Sequence, residues 1–240
     1  MNWKTVGGHC IYRFEKEIYV LENLFFRWLK FNSEGIQTLI FKPLPHKFGL
    51  EYIPYFTLAI QKQPGTCCLL GLGGAGVAHS LSTMISEITA VEISQEVISI
   101  AKNFFKLDKI PQLKIIEAEA ALFIETNNTV YTHILIDLFT KDSFPVSCMN
   151  IKFFENCKNS LEEQGVLAIN IANSKEHRPI FLWIRKLFGF STVVIPIKHS
   201  SNLIILAYKN LKSYELINNL YSTINNLKLV WDPSWGTMVI

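Results

Sequence analysis

Three acidic residues stand where the chain leaves a predicted strand. The run ITAVEI ends in Val91-Glu92-Ile93, Glu119 follows LKII, and Asp137 ends YTHILID. In an open α/β sheet the carboxyl ends of the strands form the ligand crevice, so this placement predicts three carboxylates converging on one place. A glycine turn precedes them: Gly71-Leu72-Gly73-Gly74-Ala75-Gly76, a formal G-x-G-x-x-G that follows a strand and opens a helix. Glycines there let the chain turn tightly and let a ligand touch the backbone. Glu92 lies 19 residues after Gly73, where a carboxylate reaches the same crevice and accepts both hydroxyls of a ribose. Nicotinamide dinucleotides and S-adenosyl compounds both carry that ribose, so loop and acid leave the two open. Glu119 and Asp137 also have a plainer reading, as caps of the helices that follow them.

The elements that must position these groups can be read from patterning. Before residue 58, the runs IYRF, IYVL, FFRWLKF and IQTLIF are separated by EKE, EN and NSEG. That spacing predicts a small antiparallel meander, with the aromatics of FFRWLKF in its core. From residue 59 the pattern becomes strand, turn, helix. Strands are predicted at 66–71, 88–93, 113–116, 131–137 and 165–172, and helices over 75–86, 119–126 and 151–164. A further helix begins at Ser94, whose side chain caps it and whose apolar face is Val97, Ile98, Ala101, Phe104 and Phe105. Gly165 reads as the glycine that stops helix 151–164, and a helix follows Pro179. Such alternation predicts a parallel sheet with helices on both faces. STVVIPI and NLIILAY are separated only by Lys198–Ser201. Four residues cannot make a parallel crossover, so these two strands form an antiparallel hairpin. A last helix over 211–227 and a Trp-rich tail complete the series. The expected architecture is α/β: a Rossmann-like, seven-stranded mixed sheet over 59–240, with a small β domain over 1–58.

Composition narrows the function. Of the 240 residues, 23 are basic and 20 acidic, a net charge of +3, and no stretch clusters five basic residues. This argues against a nucleic-acid partner. Mean hydropathy is +0.22, which strands buried on both faces explain, and no uninterrupted apolar run reaches the ~18 residues of a membrane span. MNWKTVGGHC is not a secretory leader. The five cysteines make no CxxC, and no His completes a metal set with them. Cys67 and Cys68 read as small buried hydrophobes. A reducing cytoplasm and no metal are the expectations. His133 reads as a packed histidine, and apolar residues exposed on the small sheet suggest a homodimer contact.

Taken together, GLGGAG, AVEISQEVISIAKNFF, IIEAEAALFI, YTHILIDLFT and FFENCKNSLEEQGVLAIN resemble the spermidine synthase-like, or polyamine aminopropyltransferase, family from about residue 10 to about 208. The resemblance implies a methyltransferase-like fold after a small N-terminal sheet. It implies that Gln37, Gly71, Gly73, Gly76, Glu92, Glu119 and Ala120 hold S-adenosylmethionine or its decarboxylated form. Tyr52 and Asp137 would face an amine acceptor, with Asp137 as general base or anchor of the ammonium. The chain departs from the family pattern at Ala75 and Thr140, where acids are usual, and at Ile53, where Gln is usual; Glu119 replaces an Asp. Asp142 stands near the missing second acid. Aminopropyl and methyl transfer both stay open on the residues alone. So do a non-catalytic adenosyl-binding homologue and, against the evidence of the hairpin, an NAD-dependent oxidoreductase.

Overall fold

The computed structural model describes residues 3–239 apart from 16, 33–34, 62, 140–142, 172–176, 211–214 and 216–227. The meander forms as the alternation requires. β1 (His9–Phe14), β2 (Ile18–Glu22), β3 (Phe26–Phe31) and β4 (Ile36–Phe41) pair antiparallel in sequence order. Trp28 and Leu29 are both buried although adjacent. One packs with Phe26 and Leu39, and the other faces Val20, Ile40, Ile100 and Phe105 of the larger unit.

A short helix α1 (Ile53–Phe56) leads into the second sheet, formed by β5 (Thr66–Leu70), β6 (Glu87–Glu92), β7 (Leu113–Glu117), β8 (Tyr131–Ile136), β9 (Leu161–Ile171), β10 (Thr192–Pro196) and β11 (Leu203–Tyr208). Their spatial order is β7-β6-β5-β8-β9-β11-β10. The first five run parallel, and β11 lies antiparallel between β9 and β10, as the four-residue link demanded. These are the seven expected strands. All six residues of β8 and of β11 are buried, which accounts for the apolar runs. Two more strands extend the sheet. β12 (Leu229–Asp232) and β13 (Gly236–Val239) form a hairpin from the Trp-rich tail, with β13 parallel to β10. Alternation was too short there to announce a strand, and Phe181 and Arg178 stacking on Trp235 hold the turn in place. The helix expected over 211–227 lies outside the described residues.

The helices are α2 (Gly76–Leu81), α3 (Gln95–Phe104), α4 (Ala120–Thr126), α5 (Ile151–Asn159) and α6 (Arg178–Phe188). Ser94 caps α3 by accepting the N–H of Val97 at 3.2 Å. The predicted helix 151–164 is corrected: α5 stops at Asn159 and β9 begins at Leu161. Within β9, Glu162–Gln164 bulge outward, since Tyr131 pairs Leu161 while His133 pairs Val166. Gly165 therefore does not cap a helix. A Cβ there would come within 2.9 Å of the Glu162 carbonyl oxygen and 3.0 Å of that of Thr132.

The two sheets are tied by more than apolar contact. Tyr12 donates to Glu96 at 2.7 Å, Lys106 donates to the Lys42 carbonyl at 2.6 Å, and Arg27 donates to the Phe104 carbonyl. All three bonds join the meander to α3 or the residues just after it. No helix among the described residues is long and apolar enough to cross a membrane.

Candidate active site

A cleft of about 1100 Å³ opens at the carboxyl ends of β5, β6, β7, β8 and β9, walled on one side by β4. The residues that the resemblance assigns to donor and acceptor all line it: Gln37, Tyr52, Gly71, Gly73, Gly76, Glu92, Glu119, Ala120 and Asp137.

At one end is the glycine turn. Gly71 has φ +94°, and a Cβ there would meet the Asp137 carbonyl oxygen at 2.3 Å. A side chain is excluded twice over, by conformation and by space. Gly71→Ala is expected to cost at least about 3 kcal/mol and so to lower Tm by roughly 6–12 °C. Thermal unfolding checks it, and an unchanged Tm would mean that β5 and β8 can part at this point. Thr38 of β4 reaches over, and its hydroxyl accepts the Gly74 N–H at 2.9 Å. The meander thus fixes the turn.

The turn also corrects one expectation. Counted from Gly71 against the G-G-G-D-G-G turn usual in the family that the sequence resembles, the acid's position is Gly74 rather than Ala75. A Cβ at Gly74 would lie 2.9 Å from Thr38 Cβ and Cγ2, so no side chain fits there. Ala75 is fully buried in a left-handed conformation, φ 61°. Neither residue lines the cleft.

Glu92, at the end of β6, lies under this turn. One carboxylate oxygen accepts the N–H groups of Leu72 at 3.1 Å and Gly73 at 3.4 Å; the other accepts that of Ser94 at 3.0 Å. These backbone donors hold the carboxylate facing the cleft. Glu119 combines both roles open in the sequence. It lines the cleft and also caps α4, accepting the Leu122 N–H at 2.8 Å and the Ser147 hydroxyl at 2.8 Å. Burial pushes its carboxyl up, and the N–H groups of Leu122 and Ala121 with the Ser147 hydroxyl more than offset this, leaving it below the usual range. Gln37, on β4, lines the cleft and has no side-chain partner among the described residues.

Asp137 follows β8 directly beside the glycine turn, and among the described residues it caps no helix. Tyr52 donates its hydroxyl to Oδ2 at 2.6 Å, and Asn170 of β9 donates its amide to Oδ1 at 2.9 Å. Desolvation raises the Asp137 carboxyl above the ordinary aspartate value, partly countered by these two donors. Burial, then the Asp137 charge, pushes the Tyr52 hydroxyl well up, so it stays a donor. A desolvated carboxylate with a raised proton affinity is placed to orient an amine and take its proton. Ile53, Leu138, Phe139 and Ile197 supply apolar wall. Thr140 and Asp142 lie outside the described residues.

Sequence reading missed Thr38, Asn170 and Asn202. Asn170 had a signal, since it is the one polar residue in the strand run GVLAINIA. A carboxamide 1 % exposed in a central strand needs partners.

A family model described as the spermine/spermidine synthase domain matches residues 51–213. A polyamine aminopropyltransferase of Neisseria meningitidis serogroup A is 24 % identical over 230 residues, covering 93 % of this chain and 88 % of that relative. The fold is that of a probable spermidine synthase from Corynebacterium glutamicum, with TM-score 0.71 at 17 % identity over 89 % of this chain and 86 % of that one. Spermidine synthase of Thermotoga maritima gives TM-score 0.67 at 16 % identity, over 91 % and 80 %. With its glycine turn and strand-end carboxylates inside the matched region, the chain belongs to the spermine/spermidine synthase family of transferases.

Proposed function

We propose that the protein moves an aminopropyl group from decarboxylated S-adenosylmethionine to an amine. The observation that carries this reading is Asp137, a desolvated carboxylate held by Tyr52 and Asn170 in the cleft beside the glycine turn. The described lining supplies four carboxylates, Glu51, Glu92, Glu119 and Asp137, against one lysine, Lys4. That balance favours a cationic donor and an ammonium-bearing acceptor. The turn and Glu92 fit the donor: glycine backbone open to the cleft, and a fixed carboxylate for two ribose hydroxyls. Glu119 and Ala120 flank its base, and Gln37 closes over it.

In the step, the acceptor nitrogen forms a bond to the carbon beside the sulfonium. The carbon–sulfur bond breaks with its electron pair on sulfur, and the nitrogen's proton passes to Asp137. Asp137 and Tyr52 orient the amine, and the apolar wall keeps water from competing. The free thiols of all five cysteines support a cytoplasmic setting. Trp3, Leu24 and Phe25, exposed beside the meander, support a homodimer contact that sedimentation equilibrium would reveal. The absence of basic clusters supports an enzyme without a nucleic-acid partner.

The direct experiment incubates the protein with decarboxylated S-adenosylmethionine or S-adenosylmethionine and a panel of mono-, di- and triamines. Product masses are read. Aminopropylated amine with stoichiometric methylthioadenosine is expected. Methylated amine would move the assignment to methyl transfer, and no product from any pair would favour a binding protein.

A further inference from the structure

The polar chain that ends on Asp137 continues beyond the two side chains that touch it. Asn170 donates to Asp137 Oδ1 at 2.9 Å, and its own Oδ1 accepts the amide of Asn202 at 2.7 Å. Asn202 Oδ1 in turn accepts the hydroxyl of Ser200. Both Ser200 and Asn202 lie between β10 and β11, and with Ile197 and His199 they line the cleft. Each group donates toward the carboxylate, so the bond dipoles align head to tail and reinforce one another.

A carboxamide has one donor end and one acceptor end. Without Asn202, the orientation of Asn170 would rest on Asp137 alone: an ionised carboxylate holds the amide nitrogen, and a protonated one lets the amide turn its oxygen inward. Amides do not pass protons readily, so the string acts through orientation and electrostatics. Tyr52 and Asn170 are the side chains bonded to Asp137 among the described residues; the other titratable groups lining the cleft are Lys4, Glu51, Glu92, Glu119 and His199.

We infer that Asn202 is a positioning residue for the transfer: from the β10–β11 turn it fixes Asn170 as a donor, which holds the Asp137 carboxylate ionised and aimed at the acceptor amine. This rests on the reading that Asp137 faces the amine. The turn thereby becomes part of the acceptor machinery, and its sequence tunes the base.

The test uses Asn202→Leu, Asn202→Asp and Ser200→Ala in the full chain. Carboxyl ¹³C titration of the unliganded protein reads Asp137 directly, assigned by its absence in Asp137→Asn. The Asp137 midpoint is expected to move up in Asn202→Leu. It should move further in Asn202→Asp, whose carboxylate competes with Asp137 for the Asn170 amide nitrogen and adds a nearby negative charge. A smaller upward shift is expected in Ser200→Ala, which removes only an exposed hydroxyl and preserves the fold. The acid limb of kcat/KM should follow to higher pH, with roughly a tenfold loss at pH 7 in Asn202→Leu, borne by the acceptor and not by the donor KM. An unmoved Asp137 midpoint in folded Asn202→Leu and Ser200→Ala overturns the proposal, since packing alone would then explain the string. If the wild type turns over no amine, the transferase reading fails while the titration still decides the role of Asn202.

Discussion

Asp137→Asn should abolish transfer and yet give a more heat-stable protein. Loss of the base is expected to lower kcat by roughly 10²–10⁴-fold. The fold responds in the opposite sense. Desolvation raises the Asp137 carboxyl above its unfolded value, so ionising it costs more in the folded state than in the unfolded one. That cost is absent below the unfolded pKa, grows as pH rises through the raised folded value, and is fully present at neutral pH. An asparagine keeps both contacts, with its oxygen accepting from Asn170 and its amide donating to the Tyr52 oxygen, and carries no charge. A gain of about 1 kcal/mol at pH 7 would raise Tm by about 2–4 °C, and the gain should vanish near pH 3. Scanning calorimetry at the two pH values, with turnover measured alongside, checks both halves. A variant less stable than the wild type at pH 7 would show that Asp137 is structural.

The second large effect is expected at Glu92. Glu92→Ala should weaken methylthioadenosine by about 100-fold, the combined worth of two hydroxyl bonds to a carboxylate at about 1.5–3 kcal/mol each, with some loss recovered by water. The same carboxylate accepts three backbone N–H groups, so the variant also loosens the turn, and affinity alone does not separate the two roles. A 2′,3′-dideoxy analogue does. It should bind the wild type and Glu92→Ala almost equally, because it has no ribose hydroxyls to lose. Equal losses for both ligands in calorimetric titration would assign Glu92 to the turn and not to the ligand.

The parts of this site that sequence disclosed are those attached to regular alternation. Glu92 and Asp137 end apolar runs, and a run buried on both faces can only be an inner strand, so its last residue has to enter the crevice. The hairpin followed from a link too short for any other connection. What stayed hidden depended on contacts across the chain. Thr38 is one residue of a small sheet, and nothing local says that its hydroxyl meets Gly74, 36 residues on. Asn202 lies 32 residues from Asn170, and only the antiparallel register of β9 and β11 brings them together. The end of α5 was misplaced for a related reason. Residues 160–164 suit a helix locally, but pairing of Leu161 with Tyr131 outweighs propensity once β8 is in place. The tail strands rest on two arginine–tryptophan stacks, Arg178 on Trp235 and Arg185 on Trp231, which no periodicity encodes.

The wall formed by β4 has a consequence for how such a protein diversifies. The stretch that identifies the family runs from residue 51 to 213, yet Gln37, which lines the cleft, and Thr38, which pins the glycine turn, lie outside it. Mutations in the first fifty residues can therefore alter ligand choice while every hallmark of the lineage stays in place. Two descendants could share identical motifs and accept different ligands, having drifted apart only in a small sheet outside the matched stretch.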